Sequence, residues 1–127
     1  PWIGVNPNHV EINAAEEFDD PGSVYTFYKK LIAMRHNNAT IATGEWNLVA
    51  ADSEQVYSFT RTSGDDTILV IVNLADRTAQ VPAEVAQLLE DGVGESQVLL
   101  STYDAVHSVK SVARGELARW EGVVIQL

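Results

Sequence analysis

Gln55-Val56-Tyr57-Ser58-Phe59-Thr60-Arg61-Thr62, then Ser63-Gly64-Asp65-Asp66, then Thr67-Ile68-Leu69-Val70-Ile71-Val72-Asn73-Leu74 is the stretch on which the reading of the fold turns. Two runs rich in β-branched and aromatic residues flank a cluster of turn formers, the pattern of an antiparallel hairpin. The first run alternates with period two. In the second, Ile68, Leu69, Val70, Ile71 and Val72 are apolar on both faces, so this strand is expected to be central and covered on both sides.

Short runs of the same character recur on either side, at Trp46–Ala50, Gln97–Ser101 and Gly122–Leu127, with weaker, edge-like strands expected at Thr78–Val81 and Val109–Ala113. Ala83–Leu89 reads as one or two helical turns, started by Pro82 and ended by Gly92. Residues 41–127 are therefore expected to form an antiparallel β domain of the β-sandwich type, in a chain that is mainly β with one N-terminal helix. Residues 1–40 have a different period. Val24, Phe27, Tyr28, Leu31, Ile32 and Arg35 follow the i, i+3, i+4, i+7 spacing of one helical face, which predicts a helix over Pro21–His36. Asp20 is expected to cap it, Pro21 suits its first position, and Asn37-Asn38 offers a stop. The acidic cluster Glu16, Glu17, Asp19 and Asp20 lies at the positive end of the helix dipole, and Lys29, Lys30, Arg35 and His36 toward the negative end. The boundary between the two regions falls near Asn38–Gly44.

The opening Pro1-Trp2-Ile3-Gly4-Val5-Asn6-Pro7-Asn8-His9-Val10-Glu11-Ile12-Asn13 resembles the "PWI-VNPN-(aromatic)-EIN" segment of the α-glucosidase and oligo-1,6-glucosidase group in the α-amylase superfamily, glycoside hydrolase family 13. Asp20-Pro21-Gly22-Ser23-Val24 and Tyr28-Lys29-Lys30-Leu31-Ile32-Ala33-Met34-Arg35 look like that group's "DP-SV…YYKKLIALR" helix. Gly44-Glu45-Trp46-Asn47-Leu48, Val56-Tyr57-Ser58-Phe59-Thr60-Arg61 and Leu69-Val70-Ile71-Val72-Asn73-Leu74 resemble its "YG-Y-L", "VFAY-R" and "L-V-NF" segments. The match covers nearly the whole chain and is loosest between Ala75 and Gly94. It implies that residues 1–40 are the last loop and helix of a (β/α)8 barrel, and that residues 41–127 are the C-terminal β domain behind it. The opening, with no start methionine, reads as a piece of something larger.

Retaining glycosidases need two carboxyl groups about 5–5.5 Å apart. The only dense acidic cluster, Glu16 to Asp20, is explained by the helix start, and no residue here matches the family's catalytic aspartates and glutamate, which the resemblance places on earlier barrel strands. What remains of the active-site face is the opening loop, because such a barrel builds its site from loops after its strands. Asn6, Asn8 and His9 are the candidates for touching substrate, since amides pair well with sugar hydroxyls. Asn-Pro-Asn is also turn composition, and His9 stands where family members most often carry an aromatic ring. His9, Glu11 and His36 lack the repeated spacing of a metal site, so neither a metal nor a cofactor is expected. Trp2, Trp46, Trp120, Tyr57 and Tyr103 would suit either a sugar-stacking platform or core anchors; the alternation around Trp46 and Tyr57 favours the core for those two.

Composition bounds the alternatives. The 127 residues are 46% apolar and 20% charged, ordinary for one globular core, and the net charge of −10 with scattered basic residues argues against nucleic acid and anionic membranes. No apolar run approaches the roughly 20 residues of a membrane span. The absence of cysteine is compatible with a reducing cytoplasm. The leading expectation is a non-catalytic C-terminal region that supports the barrel of a retaining α-glucosidase acting on short α-linked, notably α-1,6-linked, glucooligosaccharides. Its partners would be the rest of that barrel and, for the whole enzyme, the oligosaccharide. The alternative is an independent carbohydrate-binding β module, which exposed coplanar rings would favour. The helix face carrying Phe27, Tyr28 and Leu31 needs a covering partner, by folding back on the β domain or by self-association.

Overall fold

The computed structural model describes residues 2–91, 96–104, 111–112 and 114–127. The chain divides into two compact units, Pro1–Asn37 and Asn38–Leu127. The first unit opens with a 3₁₀ turn, Pro7–Val10, followed by the helices α1, Ala14–Phe18, and α2, Val24–Asn37. α2 starts later than the sequence predicts. Asp20 does not cap it: its Oδ1 accepts the Gly22 N–H at 2.8 Å, closing a turn that holds Pro21 outside the helix. Ser23 takes the capping role, its Oγ accepting from Thr26 N at 3.1 Å while donating to the carbonyls of Glu17 and Asp20. Glu17 Oε2 accepts from Tyr25 N at 3.2 Å, so one carboxylate of the acidic cluster satisfies an otherwise free donor in the first turn. Phe18 packs on Tyr25 with ring centroids 5.4 Å apart, and Lys29 Nζ lies 5.4 Å from the Phe18 centroid. No α2 residue is buried, and Val24, Tyr28 and Ile32 are exposed.

The second unit begins with α3, Ala39–Thr43, capped by Asn38 Oδ1 on Ile41 N at 2.9 Å. Strands β1, Glu45–Val49, β2, Val56–Ser63, β3, Asp66–Asn73, β5, Gln97–Ser101, and β7, Gly122–Gln126, form one antiparallel sheet in the order β1-β2-β3-β7-β5. Ser63 pairs with Asp66, which leaves Gly64 and Asp65 as a two-residue turn; Gly64 has φ +61, the conformation such a turn asks of its first residue. β4, Ala79–Gln80, pairs with β6, Glu116–Leu117, as a separate ribbon. Between them lies α4, Ala83–Asp91.

One face of the large sheet carries the core. Val56, Leu69, Ile71, Val123 and Ile125 pack against Ala79, Val85 and Leu117 from β4, α4 and β6, with Leu88, Leu89 and Val112 around them. The layer opposite the sheet is therefore a helix and a two-stranded ribbon, not the second broad sheet of the expected sandwich. The cause is local: Val85, Leu88 and Leu89 have helical spacing, and Pro82 removes a donor that a ladder would need. The chain holds several short helices besides the one expected. Ser111 and Val112 are helical, not strand; Val109, Lys110 and Ala113, like the expected helix stop Gly92, lie outside the described residues.

β3 is central, as its apolar run predicts, but it is covered unevenly. Leu69 and Ile71 are buried on the core face, while Val70 and Val72 on the other face are half-buried. Ile68, on that second face, is buried without belonging to the core cluster, and α3 contacts β2 and β3. Trp46 and Tyr57, read from sequence as core anchors, stand outside: they are 46% and 43% exposed. Alternation gives the period of a strand but not its phase. Here the inward phase of β2 is Val56, Ser58 and Thr60, with Ser58 Oγ donating to the Val49 carbonyl at 2.8 Å, and the aromatics take the outward phase.

A buried polar knot closes the open end of the sheet. Asn73, fully buried, donates from Nδ2 to the carbonyls of Arg77 at 2.7 Å and Ala118 at 2.8 Å and accepts from Ala75 N at 3.0 Å. Its backbone N–H reaches Glu121 O at 2.8 Å, and the buried Glu121 carboxylate accepts from Ala118 N at 2.7 Å. Replacing Asn73 by alanine strands several buried groups, so Asn73→Ala is expected to lower unfolding free energy by about 2–4 kcal/mol. Gly44→Ala should cost about 1–3 kcal/mol, because a Cβ there would stand 2.5 Å from Thr40 O and 2.9 Å from Thr62 O, both backbone atoms. Denaturant titration checks both, through a lower midpoint at unchanged slope.

Candidate functional site

The three sequence candidates, Asn6, Asn8 and His9, lie together in and around the 3₁₀ turn, all exposed. Asn6 caps it: its Oδ1 accepts from Asn8 N at 3.3 Å, and its carbonyl takes the His9 N–H at 3.1 Å. The same carbonyl lies 2.9 Å from His9 Nδ1. A carbonyl only accepts, so Nδ1 carries the proton and Nε2 is the acceptor nitrogen of the neutral ring. Asn13 continues the chain of contacts, donating from Nδ2 to His9 O at 3.0 Å while its Oδ1 accepts from Ala15 N and Glu16 N as the N-cap of α1. Asn6 and His9 are thus held by the turn, and Asn8 projects from it. Asn13 was not singled out from sequence, although Asn immediately before a helical run is a readable cap signal.

Glu17 and Asp20 are engaged on backbone amides, as described above. Glu121, the fully buried carboxylate, is engaged on a backbone amide in the core of the other unit. Among the described residues no group of three or more His, Cys, Asp or Glu side chains is placed to hold a metal ion. A cleft of about 340 Å³ in the second unit includes Asp52 and Glu84, both exposed. A smaller one, about 180 Å³ and lined by Leu48, Ala50, Ser53, Tyr57 and Leu74, falls below the ~300 Å³ at which ligand pockets begin.

The aromatic residues separate into three places. Trp2 is almost fully exposed in the opening loop. Trp120 sits at φ +56, a conformation costly for a bulky residue, in the loop before β7; Tyr103 Oη donates to the neighbouring Arg119 carbonyl at 2.9 Å. Trp46 and Tyr57 converge on Phe59, which the sequence reading did not include. The Trp46–Phe59 centroids are 6.3 Å apart at 36°, and the Tyr57–Phe59 centroids 5.7 Å apart at 51°. The signal for Phe59 was its i, i+2 relation to Tyr57, which puts both on one face of β2.

No protein-family model matches the chain. It is 33% identical to the oligo-1,6-glucosidase of Parageobacillus thermoglucosidasius over all of its own length and 22% of that enzyme's. It is 36% identical to the oligo-1,6-glucosidase of Halalkalibacterium halodurans over 82% of this chain and 18% of the relative. Among solved structures, Bacillus licheniformis trehalose-6-phosphate hydrolase superposes with a TM-score of 0.78 at 29% identity, over 99% of this chain and 22% of that one. Trehalulose synthase from Pseudomonas mesoacidophila gives a TM-score of 0.74 at 29% identity, over 99% of this chain and 22% of its own. The chain belongs to the oligo-1,6-glucosidase group of α-glucosidases, in glycoside hydrolase family 13. It spans about a fifth of the length of these relatives, at their C-terminal end.

The hydrogen bonds around the turn separate the candidates experimentally. Asn6→Ala removes the side-chain acceptor, so amide exchange at Asn8 should quicken; Asn8→Ala leaves the turn's bonds intact and should not change exchange at His9.

Proposed function

We propose that this chain is the non-catalytic C-terminal region of a retaining α-glucosidase that acts on short α-linked glucooligosaccharides, α-1,6 linkages foremost, in the cytoplasm. In this reading residues 1–40 supply the last loop and helix of the (β/α)8 barrel, and residues 41–127 the β domain that buttresses it. The observation that carries the proposal is the full-length match of this chain to the C-terminal fifth of enzymes named oligo-1,6-glucosidase. Two physical features support it. Two carboxylates of the acidic segment are engaged on backbone amides, Glu17 in the first turn of α2 and Asp20 in the turn before it, and α2 presents Val24, Tyr28 and Ile32 to solvent, an apolar face of the kind that packs on a neighbouring layer. The partner for that face is the rest of the barrel; a second copy of the chain would cover it where the barrel is lacking.

Within the whole enzyme, Asn8 and His9 contribute polar contacts to substrate at the rim of the site: Asn8 through its amide, His9 through Nε2. Neither acts on the scissile bond. A carbohydrate-binding module remains the competing reading, because Trp46 and Tyr57 face solvent. Trp46 and Tyr57 are tilted by 36° and 51° to Phe59, so no sugar ring lies flat across either of them together with Phe59.

The 127-residue chain alone is expected to release no p-nitrophenol from p-nitrophenyl α-glucoside; measurable turnover would overturn the proposal. In the full-length enzyme, His9→Ala and Asn8→Ala should each raise KM for isomaltose about 3–10-fold at nearly constant kcat, the signature of lost uniform binding. Isothermal titration of the chain with isomaltose and maltose should show no saturable heat, and saturable heat would transfer the assignment to the binding module.

A further inference from the structure

The segment that carries Asn8 and His9 is held by hydrogen bonds and hardly at all by burial. From Trp2 to Asp20 every residue is exposed except Asn13 and Glu17, which are half-buried. An exposed segment keeps one conformation only where side chains supply partners for its backbone. Asn13 supplies them in both directions. Its Oδ1 accepts from Ala15 N at 3.0 Å and Glu16 N at 3.1 Å, and its carbonyl accepts the Glu17 N–H at 3.0 Å, which anchors it to α1. Its Nδ2 donates at 3.0 Å to the carbonyl of His9, inside the 3₁₀ turn. Two N–H groups need an acceptor and a carbonyl needs a donor, so these partners fix which way the amide points. One planar amide thus joins the turn to the helix, its oxygen on α1 and its nitrogen on the turn. Between them the Asn8 carbonyl accepts from Glu11 N at 2.9 Å and Ile12 N at 2.8 Å, which closes the bend that the amide spans.

We infer that Asn13 is a positioning residue for substrate binding: by holding the His9 carbonyl it fixes where the Asn8 amide and His9 Nε2 stand, without touching substrate itself. The inference rests on the proposed contacts of Asn8 and His9 with the oligosaccharide. Sugar hydroxyls that are to meet an amide and an imidazole nitrogen at once need both at fixed places, because hydrogen bonds weaken steeply away from their preferred distance and angle. The His9 ring passes the tether on to Nε2. Its Nδ1 is engaged on the Asn6 carbonyl at 2.9 Å, so the ring moves with the backbone of the turn and Nε2 goes where that backbone goes. Asn6 holds the turn from the N-terminal side, with its Oδ1 on Asn8 N at 3.3 Å; Asn13 holds it from the C-terminal side by a shorter bond. The competing role for Asn13 is helix capping alone. Capping uses only the side-chain oxygen, and Asp or Ser performs it about as well as Asn. What the positioning role adds is the nitrogen, and only an amide offers both.

Asn13→Asp separates the two roles, since a carboxylate keeps the capping oxygen and has no N–H for the His9 carbonyl. Asn13→Ser likewise keeps a capping oxygen without the amide N–H, and adds no charge. In the full-length enzyme each is expected to raise KM for isomaltose about 2–10-fold at nearly constant kcat, the span expected for the loss of one hydrogen bond. In the Asn8→Ala/His9→Ala background neither should change KM further, because the groups that Asn13 positions are gone. In the 127-residue chain, Asn13→Asp should quicken amide exchange at Glu11 and Ile12 and leave Ala15 and Glu16 as they were. If Asn8→Ala and His9→Ala raise KM and both Asn13 variants leave it unchanged, the inference is overturned while the substrate contacts stand. An unchanged KM in all four single variants would overturn both. A KM rise of the same size in the Asn8→Ala/His9→Ala background, or quickened exchange at Ala15 and Glu16 in place of Glu11 and Ile12, would leave Asn13 with the helix cap alone and equally overturn the inference.

Discussion

The second unit depends on the buried amide of Asn73. It sits where the central strand ends, and its two N–H donors go to the carbonyls of Arg77 and Ala118, one on either side of a gap of some forty residues, while its oxygen accepts from Ala75 N. Chain segments that distant in sequence meet only after considerable loop-closure entropy has been spent, and apolar contact alone would leave their alignment loose. A fully satisfied buried network fixes that alignment, because any other registration strands a donor or acceptor. The Asn73 N–H to Glu121 O bond then hands the alignment to β7, whose register against β3 begins at Gly122 and Val72. The core face of the sheet and the helix-and-ribbon layer over it are thereby held to one arrangement.

The strands of the sheet were legible because hydrophobic period and turn chemistry agreed. Gly64 at positive φ between Ser63 and Asp66 leaves the hairpin only one register, and the apolar run from Ile68 to Val72 admits only a central strand. What escaped the sequence reading was of two kinds. Phase was one: nothing in the alternation of β2 says that Ser58 and Thr60 face inward while Tyr57 and Phe59 face outward. That choice is made by long-range partners, Val49 O for Ser58 and the layer of Val85 and Leu117 for the sheet as a whole. Competition among caps was the other. Asp20, Asn13, Ser23 and Glu17 all carry suitable oxygens, and only the turn at Pro21-Gly22 decides that Asp20 closes it and Ser23 caps α2. For the candidate site, the grouping of Asn6, Asn8 and His9 follows from their adjacency in sequence; the split into turn-holding and projecting side chains needed the hydrogen bonds.

Among the described residues, Val24, Tyr28 and Ile32 of α2 are exposed, as are Trp46, Leu48 and Tyr57 of the sheet, with Phe59 half-buried beside them. The two faces differ in kind. α2 buries none of its residues, so its unit derives little stability from its own packing, as an amphipathic helix without its partner should. The sheet has a buried core on its other face. A protein that acted alone would gain nothing by keeping large aromatic rings in water there, and would risk association through them. The same rings become useful when a neighbour excludes water from them, since large planar side chains bury much area at little loss of conformational freedom. Arg61 points the same way: a guanidinium placed at the edge of such a patch, one nitrogen already shielded and unpaired, is suited to a surface that supplies its acceptor and poorly suited to bulk water.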